Sequence, residues 1–302
     1  MIGAHRTPSD CKYVAVVADD FGSSPSVNQA VAVACDKGFL TAASIVAGGD
    51  AFEEAVSIAA RHPRLSVGLH ITLSDGNPVL PPSDVPDLLD SDGRFDKSPM
   101  RAGIAYWASR KGLSAQLEAE VKAQFDKLER AGIRPTHADC HHHLHMHPVI
   151  FPIIAREAAR RGAGWVRVPR EPLSVALGFR AVPPNRKVLL TWLVFRLLAG
   201  RALSTAHSCG LRVADHVYGL SGTGRINESY LLALLPHMSD GVSEIYLHPD
   251  LASPQGREET KAAASRSVRD RMKALGLQLV GFGDLRGMPH HPRKDPIAHA
   301  IR

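Results

Sequence analysis

The chain has 302 residues, with 36 Lys and Arg against 30 Asp and Glu and a net charge of +6 when histidine is neutral. Hydrophobic residues at 44% and charged residues at 22% are ordinary globular values, which excludes wholesale disorder, and this length buries a large core without disulfide staples. The basic residues are scattered and aromatics make up only 6%, so no nucleic-acid partner is expected, while Cys11, Cys35, Cys140 and Cys209 form no CxxC and signal neither a zinc ribbon nor a disulfide framework.

The opening residues lack an apolar signal core, so the chain is expected to be cytoplasmic, with 1–12 as an N-terminal arm. Tyr13–Ala18 is short, apolar and β-branched and reads as a buried strand. Ser24-Pro25 then caps a helix carrying Val27, Ala30, Val31 and Ala34 at helical spacing, with Gly38 as its stop. Ala42–Ala47 is strand-like, Asp50-Ala-Phe-Glu53 reads as a capping box opening a helix to about Ala60, and Leu65–Ile71 is the next strand. Ser114 to Ala131 carries Leu117, Val121, Phe125 and Leu128 on one face and ends at Gly132. A strand around Pro135–Ala138, a helix from Pro148 to Arg161 and a strand at Trp165–Val168 follow. The remaining units are the strand Arg212–Val217, a helix capped by Asn227, the strand Glu244–Leu247, the helix Arg257–Ala274 and the strand Leu277–Val280.

Strands alternating with helices predict parallel βαβ units and an α/β fold, a distorted (β/α) barrel of about seven or eight parallel strands. The barrel domain is expected over 13–286, with an insertion around 74–112 rich in Pro, Asp and Gly, and a polar tail over 287–302. Arg186–Arg201 is apolar on nearly every side with basic ends. It reads either as a buried barrel helix or as an interfacial element that meets a membrane without crossing it.

In parallel α/β folds chemistry gathers at the carboxyl ends of the strands. Asp19-Asp20, His70, the cluster from His137 to His147 and His248 all follow strands and would converge on one face. Six histidines within eleven residues, placed between a strand and a helix rather than in a tail, point to a metal. An Asp with two His leaves coordination positions open, a neighbouring carboxylate can act as general base, and a further His can protonate a leaving group. That set describes hydrolysis of an amide or ester, but it also suits a non-haem iron oxygenase, and a His-rich metal-binding protein is the non-enzymatic reading. Asp139, His143, Arg167 and Asp215 are expected to contact substrate or support the site. His141 and His143 would share one side of an extended segment, with His142 pointing away.

Ala18-Asp-Asp-Phe-Gly22 with Val27-Asn28, Gly68-Leu-His70, Thr136-His-Ala-Asp-Cys-His-His-His-Leu-His145 and His248-Pro249 resemble, in order and spacing, the YdjC-like carbohydrate deacetylases. The resemblance covers roughly residues 13–285 and implies a distorted (β/α) barrel that removes N-acetyl groups from amino sugars with one divalent metal ion. Carried over by position, Asp20, His70 and His141 look like the metal ligands, Asp19 like the general base and His248 like the acid. The family usually has Ser at Cys140, read here as a buried thiol rather than a fourth ligand that would close the site. Ser44–Ala55, Asn77–Pro82, Val168–Pro172 and Asp215–Leu220 are similar to a hopanoid-biosynthesis branch, which implies an N-acetylglucosaminyl hopanoid substrate. Soluble chito-oligosaccharides are the alternative. Zn²⁺ is favoured on ligand softness, with Mg²⁺ the other candidate. Peripheral contact with the inner membrane face and a homodimer are both compatible with this reading.

Overall fold

The apolar run after Cys11 forms β1 (Lys12–Phe21), and seven strands run parallel to it: β2 (Ala42–Ile45), β3 (Ser66–Ile71), β4 (His137–Cys140), β5 (Trp165–Val166), β6 (His216–Tyr218), β7 (Gly241–Leu247) and β8 (Leu277–Leu279). The computed structural model describes residues 11–108, 110–176 and 186–286. Residues 1–10 of the expected arm and the expected tail 287–302 lie outside the described residues. The helices are α1 (Pro25–Lys37), α2 (Phe52–Arg61), α3 (Pro99–Ala108), α4 (Arg110–Arg130), α5 (Ile150–Arg160), α6 (Leu173–Ala176), α7 (Arg186–Ser208), α8 (Glu228–Leu234), α9 (Pro254–Ala263) and α10 (Arg266–Ala274).

The sheet runs β5-β4-β3-β2-β1-β7-β6, and a parallel bridge from Trp165 to Arg212 brings the chain entering β6 against β5. The sheet thus curls into the TIM-like barrel that the alternation of elements predicts. β8 pairs with the first residues of β1, Lys12–Val14, at the amino end. There Phe282 plugs the barrel floor, its ring centroid 4.5 Å from His137 and 5.4 Å from Trp165. Alternate strand residues fill the interior, with Ala15, Val17, Val242 and Tyr246 in one apolar cluster around Trp165. The outward residues pack beneath the helices.

α1 forms as its sequence dictates. The Ser24 hydroxyl accepts from the Val27 amide at 3.3 Å, Pro25 sits in the first turn, and Val27, Ala30, Val31 and Ala34 are buried. Three elements depart from expectation. α2 begins after Ala51 with no side-chain cap, because the Asp50 carboxylate accepts from Asn77 instead of closing a capping box. The stretch read as one helix over Arg257–Ala274 breaks at Ala264–Ser265, where Ser265 caps α10 by accepting from Val268. The insertion over 74–112 carries α3 and the start of α4, so helix begins well before Ser114.

Candidate active site

β1 does not end as a regular strand. Val17 and Ala18 pair with Ala42 and Ala43, but Phe21 pairs with Ile45, so β1 holds one more residue than β2 across this step. The extra residue falls at Asp19–Asp20, and Asp20 takes a left-handed φ of 61°. Adjacent strand residues ordinarily face opposite sides of a sheet. The bulge brings both carboxylates to the His70 side of the sheet. Asn28 holds this turn from α1: its Oδ1 accepts from Gly22 N at 2.8 Å, and its Nδ2 donates to Ala51 O at 3.0 Å and Glu54 at 2.8 Å.

His70 lies opposite Asp139 in the β3–β4 register and donates Nδ1–H to its carboxylate at 2.8 Å. Nε2 of His70 is buried and makes no hydrogen bond. It lies 3.3 Å from Asp20 Oδ1, and His141 Nδ1 approaches the same oxygen at 2.9 Å. The donor atoms of Asp20, His70 and His141 lie within 4.8 Å of one another. Two imidazoles and one carboxylate converging around an orphaned ring nitrogen, with coordination positions left open, fit a catalytic divalent metal ion. Burial would raise the Asp20 carboxyl, but the His141 and His70 rings that approach it hold it well below the usual range. Burial likewise pulls His70 down, yet the charge and hydrogen bond of Asp139, aided by Asp19 and Asp20, raise it to about 10.

Behind the triad, Arg167, just beyond β5, is a buried hub. Its guanidinium grips both oxygens of Asp19 at 2.7 Å, reaches Asp139 Oδ2 at 2.7 Å, donates Nε–H to Glu244 on β7 and lies over the Tyr246 ring at 4.7 Å. Despite its burial, this carboxylate ring holds the guanidinium well above its ordinary pKa. Asp139 Oδ2 also accepts from Ser44, whose hydroxyl meets His137 Nε2 at 3.0 Å. Burial lowers His137 to about 4, so it is neutral. His248, after β7, places Nε2 3.9 Å from Asp19 Oδ2. Its backbone amide donates to Glu259 of α9 at 2.6 Å, with Nδ1 3.9 Å from that carboxylate.

The residues singled out from sequence therefore fall into three groups. Asp19, Asp20, His70, His141 and His248 come together at the mouth, and Asp139 and Arg167 support them from below. His143 does not share His141's direction. His142 and His143 take left-handed φ values of 55° and 53° inside a 3₁₀ segment, His141–Met146, so the extended segment assumed from sequence is absent. Nε2 of His143 meets Tyr246 OH at 2.9 Å, while His142 stacks on His141 and reaches Ser74. Asp215 is at the far end of the barrel, where its carboxylate accepts from Val242 N at the start of β7. Sequence reasoning missed Ser44, Glu244 and Glu259. The signal for Glu244 is a lone acid inside the otherwise buried strand Glu244–Leu247. Cys140 is buried and its thiol is pushed far up by desolvation, in keeping with the non-ligand reading.

A cleft of about 260 Å³ opens beside the triad, lined by Asp20, His141, Asp50, Asp75, Asn77 and Arg94. Asp75, Asn77 and Arg94 come from the insertion over 74–112. Gly48 and Gly49 border the cleft because a Cβ at either would lie 2.2 Å from Asn77 O or 2.1 Å from Gly22 O.

Comparison with known proteins agrees with this architecture. The family described as YdjC-like protein matches residues 13–275. A carbohydrate deacetylase of Geobacillus stearothermophilus is 38% identical over 165 residues, 55% of this chain and 61% of that protein. A carbohydrate deacetylase of Brevibacillus brevis is 41% identical over 143 residues, 47% of this chain and 54% of that protein. The aligned part spans a little over half the length of these curated relatives. A crystal structure from Enterococcus faecalis V583, of a protein named for cellobiose-phosphate cleavage, superposes with a TM-score of 0.70 at 23% identity, covering 91% of this chain and 99% of that one. The fold is shared with that protein. Because the family match runs from β1 through α10 and covers most of the chain, the chain belongs to the YdjC-like protein family.

Proposed function

We propose that this chain hydrolyses the N-acetyl group of an amino sugar with one divalent metal ion held by Asp20, His70 and His141. The observation that carries the reading is the convergence of those three donors beside an Arg-clamped carboxylate, Asp19, that faces His248 at 3.9 Å. When bound, the ion supplies a Lewis acid that polarises the acetyl carbonyl and makes water more acidic. The donor set favours Zn²⁺ on softness, with Mg²⁺ the alternative. Asp19 accepts the proton of the attacking water, and the bidentate grip of Arg167 fixes the direction of its lone pairs. His248, tied through its backbone to Glu259, donates a proton to the departing nitrogen. Asp50, Asp75 and Asn77 line the cleft with groups suited to sugar hydroxyls. The names of the two curated relatives support the same reaction.

The same donor triad would serve an iron oxygenase, but the Arg-clamped Asp19 beside His248 offers the base and acid that hydrolysis uses. A metal-sequestering role is disfavoured because the histidines of the cluster diverge. His137 meets Ser44, His143 meets Tyr246, and His145 meets the Arg167 carbonyl at 2.8 Å. For the acceptor, the family resemblance points to an N-acetylglucosaminyl hopanoid. Its apolar tail would lie along α7, whose Phe195 ring packs edge-on against His143. The reaction test pairs acetate release with oxygen uptake, using the hopanoid-linked sugar and chito-oligosaccharides. Acetate and free amine without oxygen consumption are expected, and Asp19→Asn should lower the rate by about 10²-fold or more. Oxygen consumption without acetate, or a fully active Asp19→Asn enzyme, would contradict the mechanism.

A further inference from the structure

The barrel mouth is flanked by two helices that bury the wrong residues for an ordinary surface. In α7, Leu190, Leu193, Val194 and Leu197 follow i, i+3, i+4, i+7 spacing and are 46–66% exposed. The opposite stripe, Ala199, Ala202 and Ala206, is buried against the fold. This helix buries an alanine stripe and exposes a leucine-rich one. α3 also carries an exposed apolar stripe, Met100, Ile104 and Trp107, while Ala102 and Tyr106 on the other side are buried and Tyr106 OH donates to Leu73 O at 2.8 Å. With Leu173 on α6, these are the large exposed hydrophobics among the described residues.

Both helices abut the turn His141–Met146 that carries the candidate ligand His141. Trp107 of α3 packs edge-on against His147 at 5.7 Å, and Phe195 of α7 packs edge-on against His143 at 5.7 Å. The two helices that carry the apolar stripes thus both pack against the same histidine segment. Within α7, Val188–Ser208 is long and apolar enough by composition to cross a bilayer, but its alanine stripe is committed to the fold, so the helix lies along a surface rather than spanning one.

We infer that the exposed stripes of α3 and α7 form a docking face that seats the barrel mouth on an anionic lipid bilayer. Charge selects this occupant. The α7 sequence has four Lys or Arg and no acidic residue, and α3 has no acidic residue either. A second copy meeting the first through α7 would oppose two sets of cations with no carboxylate on either helix to pair them. The stretch 287–302 is itself basic and polar and complements the face no better. Anionic headgroups complement this excess of positive charge while the Leu, Val and Trp side chains enter the headgroup–acyl boundary. The docking does not depend on the reaction catalysed.

The test is flotation of the full chain with vesicles of equimolar phosphatidylglycerol and phosphatidylcholine, and with phosphatidylcholine alone. The protein should float with the anionic vesicles, less so at high salt, and only weakly with neutral ones. Leu193→Glu with Leu197→Glu should reduce the bound fraction about tenfold or more, and Ile104→Glu on the separate helix should reduce it too. These positions are exposed, so circular dichroism and metal content should be unchanged. Three results would overturn the inference. The wild type stays unbound on anionic vesicles, the variants float as well as the wild type, or the substitutions instead dissociate a dimer in light scattering.

Discussion

Three carboxylates share one guanidinium at the centre of the barrel. Asp19, Asp139 and Glu244 all touch Arg167, and a single positive charge cannot compensate three negative ones away from water. Asp139 has His70 as a second partner and stays well below its usual range despite burial. Glu244 has no such help: burial dominates, Arg167 offsets it only in part, and nearby Asp139 and Asp19 add to the rise, which reaches about 7. A carboxyl raised from 4.5 to about 7 holds its proton more tightly folded than unfolded, so its favourable contribution is full below pH 4.5 and lost as pH rises through 7. Glu244→Gln keeps an acceptor for Arg167 Nε and removes that slope. Chemical unfolding at about pH 5 and about pH 8 should show the wild type losing stability relative to the variant, on the order of 3 kcal/mol. A gap that does not change with pH would contradict this assignment. Asp19, Asp20, His70 and His141 could be read from sequence because each stands where a strand ends. Glu244 shows only as a lone acid in an apolar run and Ser44 not at all, because one polar residue inside a strand carries no spacing that announces which way it faces.

At the scale of elements, the turn from β1 to α1 sets the chemistry. The bulge at Asp19–Asp20 lets consecutive residues divide the work, one toward Arg167 and one toward His70 and His141, and Asn28 secures the geometry from the first helix. Asn28→Ala would leave Gly22 N and Ala51 O without their buried partner. It should cost about 1–3 kcal/mol of stability. If the turn sets the direction of Asp20, the variant should also bind metal more weakly, measured by isothermal titration against the wild type. Unchanged affinity in a folded variant would show that the bulge holds without Asn28. The sequence made the strand, the cap at Ser24 and the helix legible, but not the bulge, because register depends on a partner strand some twenty residues away. The same limit explains the capping box misread at Asp50, whose carboxylate is drawn to Asn77 across the cleft. It also explains the histidine tract, where two left-handed residues replace the alternation an extended segment would have.

For the whole molecule, alternation of apolar strands and amphipathic helices was enough to predict a parallel barrel and to bring its ionisable strand ends to one face. Its closure was not readable, since it rests on the bridge from Trp165 to Arg212 and on β8 slotting beside the start of β1. Nor was the exposed side of α7, because a helix apolar all round has no periodicity to say which stripe the fold covers. The central claim is that one open metal centre, formed by Asp20, His70 and His141, serves a reaction whose base is Asp19. Elemental analysis of the untagged protein tests it most directly, on the wild type, Asp20→Ala, His70→Ala and Asp19→Asn. The account predicts about one divalent ion per chain in the wild type and in Asp19→Asn, and none in the other two. Several ions per chain, or full retention of the ion by Asp20→Ala, would contradict it.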